Sequence, residues 1–270
     1  MQPMFVIAVA IILGAGMAGA FAVRRCSGNS GWVDVIWTLL AGATGVATAI
    51  WPDDAEPGGR NLAVALLVGL WSSRLGVHLA RRSARQDDDP RYAALARRWG
   101  ANAEWMMFLM LELQAGAALV LVFAVRLAAW NPLPFPRLVD GIALLLGLVA
   151  IAGEAIADAQ LARFRRDPAN LGLICDVGLW ATSRHPNFFF EWLGWCATGL
   201  FAIAPTGGYT VGWLALSAPL LMYGLLVHVS GIPPLEAHML ATRGTEFRKL
   251  QRSVNAFFPG PRKSDAGIDS

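Results

Sequence analysis

The chain has 270 residues, of which 56% are hydrophobic and 15% are charged, and its mean hydropathy is +0.48. Because about a quarter of the residues of a soluble globular protein are charged, this composition indicates an integral membrane protein. The net charge of +3 is small and scattered between apolar runs, so no nucleic-acid partner is expected. The three cysteines form no CxxC pair, and neither a disulfide framework nor a metal site is expected.

Seven apolar segments are long enough, or nearly so, to cross a bilayer as helices, which takes about 20 residues each. They are residues 4–23, 32–51, 62–80, 105–128, 138–162, 188–204 and 210–229. The sequence therefore predicts an all-α integral membrane protein, a seven-transmembrane helix bundle that forms one domain over residues 1–259. We expect residues 83–104 to form a cytoplasmic loop with a short helix over 91–99, and residues 260–270 to form a disordered tail.

The basic residues predict the orientation of this bundle. If the N-terminus lies outside, 18 of the 22 Lys and Arg residues fall in segments placed in the cytoplasm. Those segments are residues 24–31, 81–104, 163–187 and 230–270. Because cytoplasmic loops carry an excess of Lys and Arg, we expect the N-terminus outside and the C-terminus in the cytoplasm.

Residues 14–19, Gly-Ala-Gly-Met-Ala-Gly, match the dinucleotide-binding pattern G-x-G-x-x-G. That pattern binds a dinucleotide between a strand and a helix, whereas here it lies inside an uninterrupted apolar run. Small residues at this spacing allow transmembrane helices to approach closely. We therefore interpret the motif as a helix-packing surface.

Polar and ionisable side chains also occur within or beside the predicted spans, where they are costly and usually face a bundle interior or a wet cavity. With the predicted orientation they come from five helices and lie in the cytoplasmic half of the bilayer. They are Asp34; Arg74 and His78; Glu112 and Gln114; Glu154, Asp158 and Arg165; and Asn187 and Glu191. Most of the polar residues that come from the same helix lie on one face of that helix. The arrangement predicts one polar cavity open to the cytoplasm, with charge pairing between helices as the structural alternative.

The residue types in this set indicate the ligand. Several Arg with His and Asn suit a polyanion such as a dinucleotide, because a guanidinium group binds phosphate oxygens in a fork. Acids on the same faces suit ribose hydroxyls or an amide. Trp71, Trp180, Trp192 and Trp195 are candidate apolar walls for a lipid-like substrate, or residues of an interfacial aromatic belt.

The stretch from Gly178 to Trp192 reads Gly-Leu-Trp-Ala-Thr-Ser-Arg-His-Pro-Asn-Phe and then, after two residues, Glu-Trp. It resembles the signature of the steroid 5α-reductase-like superfamily and looks like the bacterial branch of that group. Further matches extend over most of the chain. They are Asp34 with Trp37, Trp71-Ser72-x-Arg74-Leu75, His78-Leu79, Asp89-x-Arg91-Tyr92, Glu154, Ala157-Asp158-x-Gln160, Gly231-Ile232-Pro233, Glu236 and Pro259.

The resemblance implies a seven-helix membrane reductase that binds NADPH in a cytosol-facing cavity, without a Rossmann fold. Its substrate would be a steroid-like or other lipid that enters from the bilayer and carries an activated carbon–carbon double bond, an enone. The implied location is a bacterial inner (cytoplasmic) membrane, with membrane lipids as neighbours and the active site facing the cytoplasm.

The same resemblance assigns roles to residues by position. The implied cofactor contacts are Arg74, Glu154, Asp158, Arg165, Arg184, His185, Asn187, Glu191, His238, Arg248 and Arg252. The expected substrate contacts are Asp34, Trp37 and Trp71. The carbonyl oxygen of an enone gains negative charge in the transition state of hydride transfer, so a donor aimed at it lowers the barrier. Asp34 is the first candidate for that donor and His78 the second.

Two other functions remain open from the sequence. Membrane methyltransferases that use S-adenosylmethionine, such as those acting on prenylcysteine or phospholipid amines, share Arg-His-Pro followed by an acid. The segment Arg184-His185-Pro186 therefore does not separate the two classes. Such methyltransferases lack the Glu154-x-x-x-Asp158 and Arg74/His78 pairs, which favours the reductase. A non-catalytic lipid-binding or redox-partner membrane protein is the third possibility.

Overall fold

The computed structural model describes residues 3–52, 56–85, 88–205 and 207–263, and across these ranges it contains helices and no strand. The α-helices are α1 (Pro3–Ser27), α2 (Gly31–Ile50), α3 (Gly59–Ser83), α4 (Pro90–Trp99), α5 (Ala103–Ala129), α6 (Leu138–Arg166), α7 (Pro186–Ala202), α8 (Ser217–Tyr223) and α9 (Ile232–Ser253). Short 3₁₀ turns lie at Gly100–Asn102, Pro168–Asn170, Gly178–Ala181 and Thr210–Leu216, and a π-helical segment at Gly224–Val229. The predicted all-α class is confirmed for these residues.

Six helical stretches in the described residues are long and apolar enough to cross a membrane. They are Met4–Ser27, Gly31–Ile50, Gly59–Ser83, Arg91–Ala129, Leu138–Arg166 and Thr210–Ser253. The predicted span 188–204 corresponds to α7, whose 17 residues fall short of the roughly 20 that a crossing takes. These six helices indicate an integral membrane protein. The seventh crossing and the orientation of the termini stay predictions.

The two segments predicted to lie outside the membrane have different outcomes. The short helix expected over 91–99 is confirmed as α4, which Asp89 caps by accepting a hydrogen bond from the Arg91 backbone N–H, with proline at the start of the helix. The disordered tail predicted over residues 260–270 stays a prediction, and residues 260–263 make contacts with the rest of unit 2. There the Gly260 N–H donates to the Thr182 carbonyl at 3.0 Å, and the Arg262 side chain pairs with Asp176. Residues 264–270 lie outside the described residues.

The chain divides into two compact units. Unit 1 comprises Met1–Leu145 and Ala197–Ala218, and unit 2 comprises Leu146–Cys196 and Pro219–Ser270. The boundaries fall within α6, α7 and α8, so each of these helices contributes to both units. The prediction of a single domain over residues 1–259 stays a prediction.

Close helix packing in unit 1 depends on small residues. A methyl group added at Gly42 of α2 would lie 2.1 Å from the Ser72 side chain of α3, so the two backbones meet where glycine leaves room. A methyl group at Gly16 of α1 would lie 2.3 Å from Leu40. Gly16 belongs to the G-x-G-x-x-G pattern, which is fully helical and follows no strand in the described residues. The interpretation of that pattern as a packing surface is confirmed at Gly16, whereas Gly19 has nothing within 4 Å.

A buried ion pair fixes one end of unit 1. Arg60, at the start of α3, and Asp140, at the start of α6, are almost fully buried, and their Nη2 and Oδ2 atoms lie 2.9 Å apart. The remaining guanidinium N–H groups donate to the backbone carbonyls of Asn131, Leu133 and Pro134. A charge in an apolar interior is tolerated when it is paired and its hydrogen-bonding capacity is filled. Arg60 therefore anchors the segment between α5 and α6 through these hydrogen bonds.

Unit 2 has an aromatic cluster of its own. It consists of Phe189, Trp192, Tyr223, Phe257 and Phe258. Neighbouring rings meet mostly edge to face, an arrangement that aromatic quadrupoles favour, with the Tyr223 and Phe257 centroids 5.5 Å apart. The indole N–H of Trp192 donates to the Pro219 carbonyl at 3.1 Å. Trp192, one of the candidate substrate walls, thus packs in this cluster.

Candidate functional site

Three buried acids lie on the facing stretches of α6 and α7 that belong to unit 2. Glu154 and Asp158 are one turn apart on α6, and Glu191 lies on α7. The Asn187 amide donates to Asp158 Oδ1 at 3.4 Å, and the Trp195 indole N–H donates to Glu191 Oε1 at 3.0 Å. The structure therefore brings Asp158 and Asn187 together, as predicted, and adds Trp195 as a partner of Glu191. Carboxylates in this setting can accept hydrogen bonds from the hydroxyl or amide groups of a ligand.

The segment that carries the family signature, which starts at Gly178, is hydrogen-bonded to the turn of α6 that contains Asp158. The Trp180 indole N–H donates to the Ala157 carbonyl at 2.9 Å, and the Leu179 backbone N–H donates to Gln160 Oε1 at 2.9 Å. Gly178 has a φ of +60°, and a methyl group there would lie 2.7 Å from the Gln160 side chain. The glycine and tryptophan of the signature thus position the chain next to Asp158.

Arg184 and His185 have other partners than the predicted phosphate. Arg184 Nε donates to Glu236 Oε1 at 2.7 Å, and its Nη1 donates to the Val254 carbonyl. His185 Nε2 lies 3.1 Å from the same Glu236 oxygen, and the Gln251 amide donates to the other oxygen at 2.7 Å. We call these four side chains, Arg184, His185, Glu236 and Gln251, the Glu236 clamp. These groups have protein partners, and the assignment of Arg184 and His185 to cofactor binding stays a prediction.

The other basic candidates of unit 2 are exposed. Arg165 lies in the last turn of α6, and His238, Arg248 and Arg252 lie on α9. Exposed guanidinium groups at a helix C-terminus are compatible with an anion that approaches from solvent. Their predicted role therefore rests on charge and exposure.

Asp34, the predicted proton donor, lies in unit 1 within an ionic network. Its carboxylate accepts hydrogen bonds from Arg91 Nη2 at 2.5 Å and from the Tyr92 hydroxyl at 2.7 Å. Arg91 also binds Asp89, as does Arg82 at 3.0 Å. In both contacts the carboxyl oxygens of Asp34 are the acceptors, and its role as a donor to substrate stays a prediction. The sequence matched Asp89-x-Arg91-Tyr92 to the family pattern but gave no sign that Tyr92 contacts Asp34.

The remaining predicted residues of unit 1 lie on α2 and α3. The Trp37 indole N–H donates to the Gln114 carbonyl at 3.0 Å, and the Gln114 amide lies 3.5 Å from the Tyr92 hydroxyl. Trp71 is buried, whereas Arg74 and His78 are partly buried on the same helix. Each unit thus contains a polar cluster, and a single cavity lined by both sets stays a prediction.

The Asp89 carboxyl should make the stability of α4 depend on pH. Burial acts to raise the pKa of Asp89, but the hydrogen bonds and charge of Arg91 and the charge of Arg82 outweigh it, so the pKa lies below its ordinary value. A lowered folded-state pKa contributes stability above about pH 4, and this stability is lost as the pH falls through the folded pKa. We expect hydrogen-exchange protection factors of α4 to be constant near neutral pH and to decrease below about pH 4.

The variant Asp89→Asn is the control, since Asn caps a helix about as well as Asp. It should lower the protection of α4 at neutral pH and remove the dependence on acid pH. Equal acid sensitivity in the variant and the wild type would assign the effect to another group.

No group of three or more His, Cys, Asp or Glu side chains suited to a metal ion occurs in the described ranges. Comparison with known proteins gives one family match. The family model described as "Protein of unknown function (DUF1295)" matches residues 20–254. No curated protein and no solved structure matches the chain.

Proposed function

Since the chain belongs to the DUF1295 family over a stretch that contains both polar clusters, we propose that it is an NADPH-dependent membrane reductase. It transfers hydride to the activated double bond of an enone in a steroid-like or other lipid, as its resemblance to steroid 5α-reductases implies. We place it in the bacterial inner membrane with its N-terminus outside and its site facing the cytoplasm. The observation that carries the proposal is the three buried acids Glu154, Asp158 and Glu191 on α6 and α7, with the partly buried Asn187 bound to Asp158.

The chemistry of this set fits one half of the cofactor. Ribose hydroxyls and the nicotinamide carboxamide are hydrogen-bond donors, and the carboxylates of Asp158 and Glu191 are acceptors. Asn187 supplies an amide that can both donate and accept. Ionisable side chains inside a membrane are costly and commonly mark a ligand site, which supports a polar ligand at these positions.

The exposed Arg165, Arg248 and Arg252 fit the other half, because guanidinium groups bind phosphate in a fork and are always charged. The Glu236 clamp is assigned a positioning role in this proposal. It connects Arg184 and His185, which directly precede α7, to α9. The clamp therefore fixes the start of α7 and with it the position of Asn187.

Bound NADPH would supply the hydride, and the protein would supply position and electrostatic stabilisation. His78 remains the candidate donor to the substrate carbonyl oxygen, which gains charge as hydride arrives. Asp34 would act indirectly, by accepting the hydrogen bond of Tyr92 and fixing the position of that hydroxyl. Trp37 and Trp71 would line the substrate site.

The test is thermal unfolding of the purified protein in detergent with NADPH, NADH or S-adenosylmethionine. A ligand at 100 times its Kd stabilises the folded state by about 2.7 kcal/mol, so NADPH should raise the apparent melting temperature. In Asp158→Ala and Asn187→Ala the apparent Kd for NADPH should rise about tenfold or more, as expected for loss of a hydrogen bond to a charged group.

Glu246→Gln is the matched control, because Glu246 is an exposed acid of the same unit that pairs with Lys249. It should respond to NADPH as the wild type does. Stabilisation by S-adenosylmethionine without stabilisation by NADPH would replace the reductase proposal with the methyltransferase. A normal NADPH response in both site variants would move the site elsewhere.

A further inference from the structure

Glu112 is an acid inside unit 1 that the proposed cofactor site does not use. It lies on α5, which packs antiparallel to α1: Arg24 pairs with Glu104 at one end, and the Arg126 guanidinium lies over the Phe5 ring at the other. At 1.5 Å per residue, Glu112 is about 12 Å along α5 from Glu104 and about 21 Å from Arg126. The side chain is therefore at the depth of the hydrocarbon layer, which is about 30 Å thick.

One oxygen of the partly buried Glu112 carboxyl group has no donor in the described part of the chain. Its Oε1 atom is shielded from the surface and has no hydrogen-bond partner there. Its nearest neighbour on α1 is Gly14, where an added methyl group would lie 3.3 Å from Oε2. The buried side chains of this helix pair include Leu13, Met17 and Leu111, which offer no donor. An acceptor left unmatched in such surroundings is unfavourable for folding.

The carboxyl group lies beside surface that faces the acyl chains. Leu113, next to Glu112 on α5, is 75% exposed, and Ile11 on α1 is 64% exposed. On α1, Ala10 and Ala18 lie one turn to either side of Gly14, so the strip facing Glu112 is narrow and small-sided between the longer side chains of Ile11 and Met17. A slender apolar molecule in the bilayer can therefore approach Glu112 along α1.

We propose that Glu112 binds the hydroxyl group of an otherwise apolar lipid that enters from the bilayer alongside Gly14. A hydroxyl supplies the donor that Glu112 Oε1 lacks, and the apolar chain of the lipid suits the surrounding apolar side chains. A hydrocarbon without a donor would leave the acceptor unmatched, and a cationic amine would carry a charge into the hydrocarbon layer at high cost. The proposal does not rest on the reductase activity, since it concerns a different side chain and ligand.

The test compares hexadecanol with hexadecyl methyl ether, which has a similar chain but no donor, on the protein in nanodiscs. Hexadecanol should raise the apparent melting temperature in a saturable manner, and the ether should not. Without ligand, Glu112→Met should melt about 2–4 °C higher than the wild type, because an apolar side chain of similar size replaces an unmatched acceptor. The same variant should lose the response to hexadecanol.

The glycines of α1 provide a matched pair of controls. Gly14→Ala adds a methyl group against Glu112 and should weaken the response to hexadecanol, whereas Gly19→Ala has nothing within 4 Å and should preserve it. Equal stabilisation by the alcohol and the ether, a retained alcohol response in Glu112→Met, or a lower melting temperature of that variant would each overturn the proposal. Titration of the same variants with NADPH reports on the cofactor proposal separately.

Discussion

Replacing Arg60 by Met is expected to lower the free energy of unfolding by about 3 kcal/mol, near the lower end of the effect of breaking a buried ion pair. The variant leaves Asp140 with Arg137 as its remaining cation and leaves three backbone carbonyls without their donor. Arg137 limits the loss, because it also binds Asp140, with its Nη2 2.8 Å from Oδ1. Denaturant titration in mixed micelles measures the change.

Two comparisons show whether this loss comes from the buried pair. Lys249→Met breaks an exposed pair, whose side chains are 68% and 69% accessible, and should cost less than about 0.5 kcal/mol. The double variant Arg60→Met/Asp140→Asn should lose less than the two single variants together, because each single variant leaves the other partner unmatched. Strict additivity would show that the pair contributes nothing beyond its separate residues.

Replacing Glu236 by Ala is expected to have a similarly large effect in unit 2, about 3 kcal/mol, because Arg184, His185 and Gln251 lose a shared acceptor. Arg184 and Glu236 are mostly buried, so solvent replaces the lost contacts poorly. The loosened segments should be residues 183–187 and 251–257. Hydrogen exchange resolved by segment should show faster exchange there, with the amides of α2 and α3 unchanged.

Glu246→Gln, on the same helix but exposed, is the control for Glu236→Ala. It should leave the exchange of residues 183–187 as in the wild type. If Glu236→Ala also leaves that exchange unchanged, the Glu236 clamp does not hold the signature segment. The weaker NADPH response expected of Glu236→Ala would follow from the displacement of Asn187, as the positioning role assigned to the clamp requires.

The helices themselves were predictable because a membrane helix satisfies its backbone within one continuous segment. Each apolar run therefore identifies its own helix without reference to the rest of the chain, as α1 and α5 show. The same local reasoning predicted α4, where Asp89 and Pro90 form a start signal that needs no distant partner. It did not indicate the hydrogen bonds that Gly260 and Lys263 make to the Thr182 and Ser253 carbonyls, because those partners are distant in sequence or lie in another element.

The candidate site was predictable in part for a related reason. Asp158 and Glu154 share a face because of helical periodicity, and the resemblance at Asn187 predicted that these residues belong together. The structure places Asn187 against Asp158 as expected. Sequence spacing could not show that Trp195 would bind Glu191 instead of lining a substrate site, since an indole N–H one turn away can point to several partners.

The sequence by itself determined that this is a helical membrane protein, that acids and arginines lie within or beside its helices, and which family motif it carries. All of these follow from local composition, periodicity and short patterns. Only the tertiary structure decided which charges are paired: Arg184 and His185 bind Glu236 more than 50 residues away, and Asp34 binds Arg91 and Tyr92 of α4. The physical reason is that a buried charge takes whichever partner the packing of helices brings within about 3 Å, and that distance is set by the fold.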